Sequence, residues 1–102
     1  PDLVAPGVNI TAPTPGGAYT TVTGTSFSTP FVTGSAALLM ECGIIQRNDP
    51  VLWGEKVKAY LSRGAQPLPG FNEYPNEAVG WGKLCVAQSL PKLPCPAHLA
   101  PP

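Results

Sequence analysis

Excess charge of either sign is missing from this sequence: six basic residues balance six acidic ones among 102. Without a basic surplus nothing neutralises a run of phosphates, which excludes an electrostatically driven nucleic-acid role. Charge is also absent locally, with no Asp, Glu, Lys or Arg from Leu3 to Met40. That stretch does not read as a membrane span, because Pro6, Pro13, Pro15, Gly16, Gly17 and many threonines interrupt it. The chain opens without a basic segment leading into an apolar run, so no signal peptide is expected. It also opens without a Met before Pro1-Asp2-Leu3-Val4, which reads as an internal cut from a longer protein. Cysteine is scarce and odd in number: Cys42, Cys85 and Cys95, with no C-x-x-C pair. This excludes a complete disulfide framework and a zinc knuckle, and predicts free thiols in packing positions. The length suits one small domain or a piece of a larger one, with a modest core.

What is present falls into a clear order. Residues 2–12 read as short extended segments around an Ala5-Pro6-Gly7 turn, and Ala18 to Thr23 as a second extended arm beyond the Pro13-Thr14-Pro15-Gly16-Gly17 cluster. From Ser28 to Glu41 the pattern becomes helical, with Pro30 in the first turn, where its missing N–H costs nothing. This helix has no polar stripe, so it is expected to be buried on all sides. The remaining residues are too few to surround it, which predicts missing protein mass. A second helix follows, with Asp49 as N-cap, Pro50 at the first position and Gly64 as the stop. Trp53, Val57, Tyr60 and Leu61 form its apolar stripe, making it an amphipathic surface helix. Residues 65–77 read as a loop, Gly80-Trp81-Gly82 as a tight backbone passage, and Leu84 to Leu90 as a short closing helix. Residues 91–102 form a proline-rich tail, extended or disordered.

The chemistry concentrates in Gly24-Thr25-Ser26-Phe27-Ser28-Thr29-Pro30. It puts a serine where an extended arm turns into a helix N-terminus, with free amides and the positive end of the helix dipole beside it. An acyl-transfer nucleophile needs that arrangement, since negative charge develops on a neighbouring oxygen. The same residues also fit a serine that merely caps the helix. An α/β-hydrolase elbow does not fit, because Ser28 stands where the second glycine is required.

Gly-Thr-Ser-x-x-x-Pro running into a small-residue apolar helix resembles the nucleophile motif of the subtilases. Asp2-Leu-Val-Ala-Pro-Gly7 resembles the family's strand and turn upstream of the serine. Tyr19 to Thr23 resembles the arm leading into it, and Gly80-Trp81-Gly82 the segment before the closing helix. The resemblance implies that residues 1–90 are the C-terminal portion of a three-layer α/β catalytic domain with a parallel sheet. It implies Ser26 as nucleophile, its own N–H as one oxyanion donor, and Gly24 and Thr25 as the residues shaping the substrate-binding turn. Ser28 and Phe31 depart from the family's usual Ala and His, which leaves substrate preference open. In the family's triad order, Asp then His then Ser, both partners of Ser26 lie upstream of Pro1. His98 stands on the wrong side, and Asp2 matches a structural strand rather than the catalytic aspartate. The resemblance therefore implies a serine endopeptidase as parent and an inactive isolated chain.

Residues 43–63 and Tyr74-Pro75-Asn76 also resemble subtilases of bacterial spore germination, some of which have lost triad residues. The alternative is thus a pseudoprotease or protein-binding scaffold. No cofactor or metal site is visible in the chain; calcium, common in the family, would lie in the missing part. The partners implied are the rest of the catalytic domain and a protein or peptide substrate, with no nucleic acid or membrane. Self-association of the chain alone is expected from its apolar helix, which also argues against a self-sufficient binding domain. The location implied is extracellular or spore-associated.

Overall fold

Among the described residues four apolar side chains are buried, and they decide where the elements meet: Leu39, Cys42, Leu52 and Leu61. The computed structural model describes residues 1–92. A hairpin comes first, β1 (Ile10–Thr14) pairing antiparallel with β2 (Ala18–Val22), Ile10 opposite Val22. Gly16 and Gly17 close it with φ of 91° and 83°, values that glycine adopts without steric cost. Helix α1 (Thr29–Met40) follows after a single 3₁₀ turn at Thr25–Phe27 and passes into a π-turn at Glu41–Ile45. Then come α2 (Glu55–Gly64) and the one-turn α3 (Val86–Ser89). Leu39, Leu52 and Leu61 form the core, with Leu3, Val32, Ile44, Val57, Tyr60, Leu84 and Leu90 packed around them.

The parallel sheet that the resemblance implies is not formed among the described residues. The sheet among the described residues has two strands, β1 and β2, and it is antiparallel. Parallel pairing is confined to one bridge, Val4 with Lys83, closed by Val4 N–H to the Gly82 carbonyl and Leu84 N–H to the Val4 carbonyl. The physical reason is local. Lys83 spends its own N–H and carbonyl on Gln66, at 2.8 Å each, on its other side. The segment is thus stitched between two others by single residues, too short for a ladder. Parallel strands also need a long crossover between neighbours, and the hairpin here uses a tight turn instead.

Helix α1 is helical where expected but not buried on all sides. Ser35 and Leu39 are its buried residues, while Phe31 and Leu38 are 41% and 56% exposed. The other elements cover one side of it. Its hydroxyls are turned inward on the backbone: Thr29 to the Thr25 carbonyl, Thr33 to Thr29 and Ser35 to Phe31, at 3.3, 3.1 and 2.7 Å. This back-bonding removes the polar character of Thr and Ser, so the surface is more apolar than the composition suggests. The run Thr25–Ile45 has the length and mean hydropathy, 1.3, of a membrane-crossing helix, criteria that the core helix of a water-soluble domain also meets.

The second helix starts later than the sequence suggests. Gly54, with φ of 59°, is its N-cap, and Trp53 lies outside it, 63% exposed. Asp49 has a different use. Its buried carboxylate accepts from Lys56 Nζ at 2.9 Å and from the Tyr60 hydroxyl at 2.6 Å, pinning the 49–54 turn to one face of α2. Gly64 is the last helical residue rather than a left-handed stop. A Cβ there would overlap the Ser89 Oγ and lie 2.6 Å from the Gln88 carbonyl carbon, so it is the crossing point of α2 and α3.

These bonds, first from Lys56 and then from Tyr60, hold the Asp49 carboxyl below its ordinary value of 3.8. The unfolded chain therefore binds this proton more readily, and the stabilisation is present above about pH 4. It is lost as pH falls through the depressed folded value. Urea midpoints between pH 6 and pH 2.5 are expected to drop less steeply in Asp49→Asn than in the parent; equal slopes would remove Asp49 as the cause.

The cysteines also depart from expectation. Cys42 is disulfide-bonded, and Cys85 is a free thiol. An odd count forbids full pairing but permits one bridge and one thiol. The proline-rich tail beyond Lys92 lies outside the described residues.

Candidate active site

The serine turn is held from below by the Ala5-Pro6-Gly7 loop. The Gly24 N–H donates to the Gly7 carbonyl at 2.7 Å, and Ser28 Oγ donates to the Ala5 carbonyl at 3.1 Å. A Cβ on Gly7 would overlap Ser28 Oγ and approach the Gly24 carbonyl oxygen to 2.9 Å, so this position must be glycine. The hairpin delivers the chain from the other side, with the Asn9 N–H on Thr23 Oγ1 at 3.0 Å. Gly24 then turns the chain with φ 152° and ψ 159°, a region open essentially to glycine alone.

Beyond Gly24 the 3₁₀ turn begins, with Phe27 N–H on the Gly24 carbonyl and Ser28 N–H on the Thr25 carbonyl, 3.0 Å each. The Thr25 and Ser26 amides precede this ladder, at the end of the helical run where donors lack intrahelical partners and the dipole is positive. Ser26 and Thr25 are exposed, and Gly24 is half-buried. The Ser26 hydroxyl makes no hydrogen bond among the described residues, whereas Ser28, Thr29, Thr33 and Ser35 all spend theirs on backbone carbonyls. Neither cap position, Gly24 or Ser28, makes a side-chain cap bond. The capping alternative therefore has no bond to rest on.

Two grooves flank the turn. Thr25 lines one of about 520 Å³, with Leu3, Ala5, Ser28 and Val32. Phe27 lines another of about 350 Å³, with Ile10, Pro13, Pro30 and Phe31. The sequence marked Gly7 as part of a turn and Phe27 as part of the serine motif, but not the close approach of one or the groove wall of the other, which exist only once the loop has docked. Asp2 occupies a structural place: its carbonyl accepts the Trp81 N–H at 2.8 Å and its carboxylate lies 3.6 Å from Lys58 Nζ. No group of three or more His, Cys, Asp or Glu side chains comes together among the described residues. Histidine is absent from them, His98 being the only one in the sequence, so no Ser–His pair is formed there.

An exposed serine thus stands on a glycine-turned arm at the mouth of an apolar helix. Comparison with known proteins gives the class, a serine-protease-like domain: the chain belongs to the subtilase family, whose model it matches over residues 1–82. It is 36% identical over 73 residues to subtilisin BL of Lederbergia lenta, covering 72% of this chain and 25% of that protein. An intracellular serine protease of Paenibacillus polymyxa is 39% identical over 70 residues, covering 65% and 22%. Among solved structures, the CspB protease of Clostridium perfringens superposes with a TM-score of 0.82 at 45% identity, over 87% of this chain and 19% of that one. The chain thus spans about a quarter or less of the length of the relatives it matches.

Proposed function

We propose that Ser26 is the attacking residue of a serine endopeptidase whose base and orienting carboxylate come from parts of the catalytic domain that this chain does not contain. The observation carrying this reading is the Ser26 hydroxyl: exposed, at the helix mouth, and left unbonded among the described residues, while Ser28 and the hydroxyls of α1 bond backbone carbonyls. In the reaction Ser26 Oγ adds to the scissile carbonyl and its proton passes to the histidine. The Ser26 N–H and the positive helix end stabilise the oxyanion, and the amine leaves with the proton from the histidine. Water then releases the acyl group by the same steps. Without a base the serine alcohol stays protonated at neutral pH, so the isolated chain is inactive.

The partner that completes the site also has a surface to cover. A groove of about 540 Å³ runs between α1 and α2, lined by Thr29, Val32, Ala36, Val57 and Leu61. Left open it favours self-association of the chain alone. The likeness to CspB protease, at higher identity than to subtilisin BL, supports a place near that protease. The finer reading, a spore-germination subtilase acting outside the cell or on the spore, rests on the resemblance of residues 43–63 and 74–76. A fluorophosphonate probe on the folded full-length protein is expected to label Ser26. Absence of that adduct would favour a binding scaffold instead.

A further inference from the structure

The Ser26 N–H is one end of a peptide unit whose other end is already in use. It shares a planar, conjugated group with the Thr25 carbonyl, so whatever holds that carbonyl also aims the N–H. The Thr25 carbonyl accepts the Ser28 N–H at 3.0 Å, the bond that closes the 3₁₀ turn. It also accepts the Thr29 hydroxyl at 3.3 Å, from the first residue of α1. Donors from two successive residues thus converge on one oxygen. They draw electron density toward it and leave the N–H at the far end more positive, as in any chain of linked hydrogen bonds. Thr33 offers an internal comparison. It makes the same kind of bond one turn later, to the Thr29 carbonyl at 3.1 Å. The peptide unit held there ends on Pro30, which has no N–H to aim.

We infer that Thr29 is a positioning residue for the oxyanion donor. Its hydroxyl orients and polarises the Thr25–Ser26 peptide, so that the Ser26 N–H meets the charge developing on the scissile carbonyl oxygen. The inference rests on the reading of Ser26 as the attacking residue, and Thr29 acts through the peptide rather than on the substrate. Loss of a whole oxyanion donor costs about 10²–10³-fold in kcat. Polarisation by one hydrogen bond adds about 10–30% to a bond's strength, which in rate is roughly two- to eightfold.

The test is Thr29→Val in the full-length protein, which keeps the branched shape and removes the hydroxyl. With a peptide anilide as substrate, kcat is expected to fall roughly two- to eightfold while KM stays unchanged, because the ground-state carbonyl carries little charge. Thr29→Ser restores the hydroxyl and is expected to restore kcat; Thr29→Ala reads the same bond if the valine variant fails to fold. A peptide aldehyde takes the Ser26 Oγ onto its carbonyl carbon, the serine proton passing to the histidine, and so presents an oxyanion. Its affinity is expected to drop by the same factor as kcat, whereas the matching peptide alcohol, without a carbonyl, binds as before. Thr33→Val, the same change one turn on, is expected to leave kcat as it is. A fall shared by Thr33→Val would trace to packing along the groove that both threonines line, and would overturn the assignment. Unchanged kcat in Thr29→Val, a rise in KM alone, or no recovery in Thr29→Ser would overturn it too. A parent protein that neither hydrolyses the anilide nor takes the fluorophosphonate would sink the endopeptidase reading and this inference together.

Discussion

In the full-length protein, Ser26→Ala is expected to abolish hydrolysis of labelled casein while leaving the urea midpoint unchanged. The loss in kcat, about 10⁶-fold, is the value known for removal of the attacking serine in subtilisin, a relative within the family. The geometry of this chain supplies the split between activity and stability. Ser26 is exposed and its hydroxyl holds nothing among the described residues, so its removal falls in the class of near-neutral surface changes, within about 0.5 kcal/mol. Ser28→Ala is the informative control. It deletes the bond to the Ala5 carbonyl that ties the turn to the loop beneath it, with a cost of about 1 kcal/mol. A serine with only a capping role would show the reverse pattern, with stability falling at Ser26 and activity kept. Unchanged turnover in Ser26→Ala would end the endopeptidase reading.

That contrast between two serines two residues apart marks how far the sequence could be read. The Gly-Thr-Ser turn, the helix behind it and the hairpin in front of it are legible because each is specified locally. Gly24, Pro30 and the Gly16-Gly17 pair act on their own backbone, and their effect needs no distant partner. Asp49 was legible as a special residue but not in its use. Before Pro50 it has the signature of an N-cap, yet Gly54 takes that place and Asp49 reaches Lys56 and Tyr60 through space. Gly64 misleads in the same way, since a glycine ending a helix reads as a stop when its hydrogen is needed for the passage of Ser89. The parallel sheet failed for a deeper reason. Strand partners are a property of the whole domain, and the Val4 and Lys83 segments find one parallel bridge between them. The charge-free helix carried the most information about what surrounds it. Its apolar faces stand open here, and the chain's radius of gyration, 15.5 Å, exceeds the roughly 13 Å of a compact domain this long.

At the Gly82 seam a single methyl group is expected to cost much of the stability. Gly82 has φ of 116°, and a Cβ there would overlap the Gln66 carbonyl oxygen and lie 3.0 Å from its carbon. Its carbonyl accepts from Val4, and the next residue, Lys83, exchanges two bonds with Gln66, so three chain segments meet at this one residue. Backbone cannot yield as a side-chain tip does. Left-handed strain of about 1–2 kcal/mol adds to an overpacking cost of about 1–3 kcal/mol, giving roughly 2–5 kcal/mol for Gly82→Ala. Gly70→Ala separates the two contributions, since Gly70 also has positive φ, 89°, but nothing lies within 4 Å of its missing Cβ. It is expected to cost the strain alone. Urea denaturation of the folded protein with each substitution gives the comparison directly. A Gly82→Ala midpoint no lower than that of Gly70→Ala would mean that Gln66 moves aside freely, and that the stitch between the N-terminal segment and the 80–84 passage does not hold the fold together.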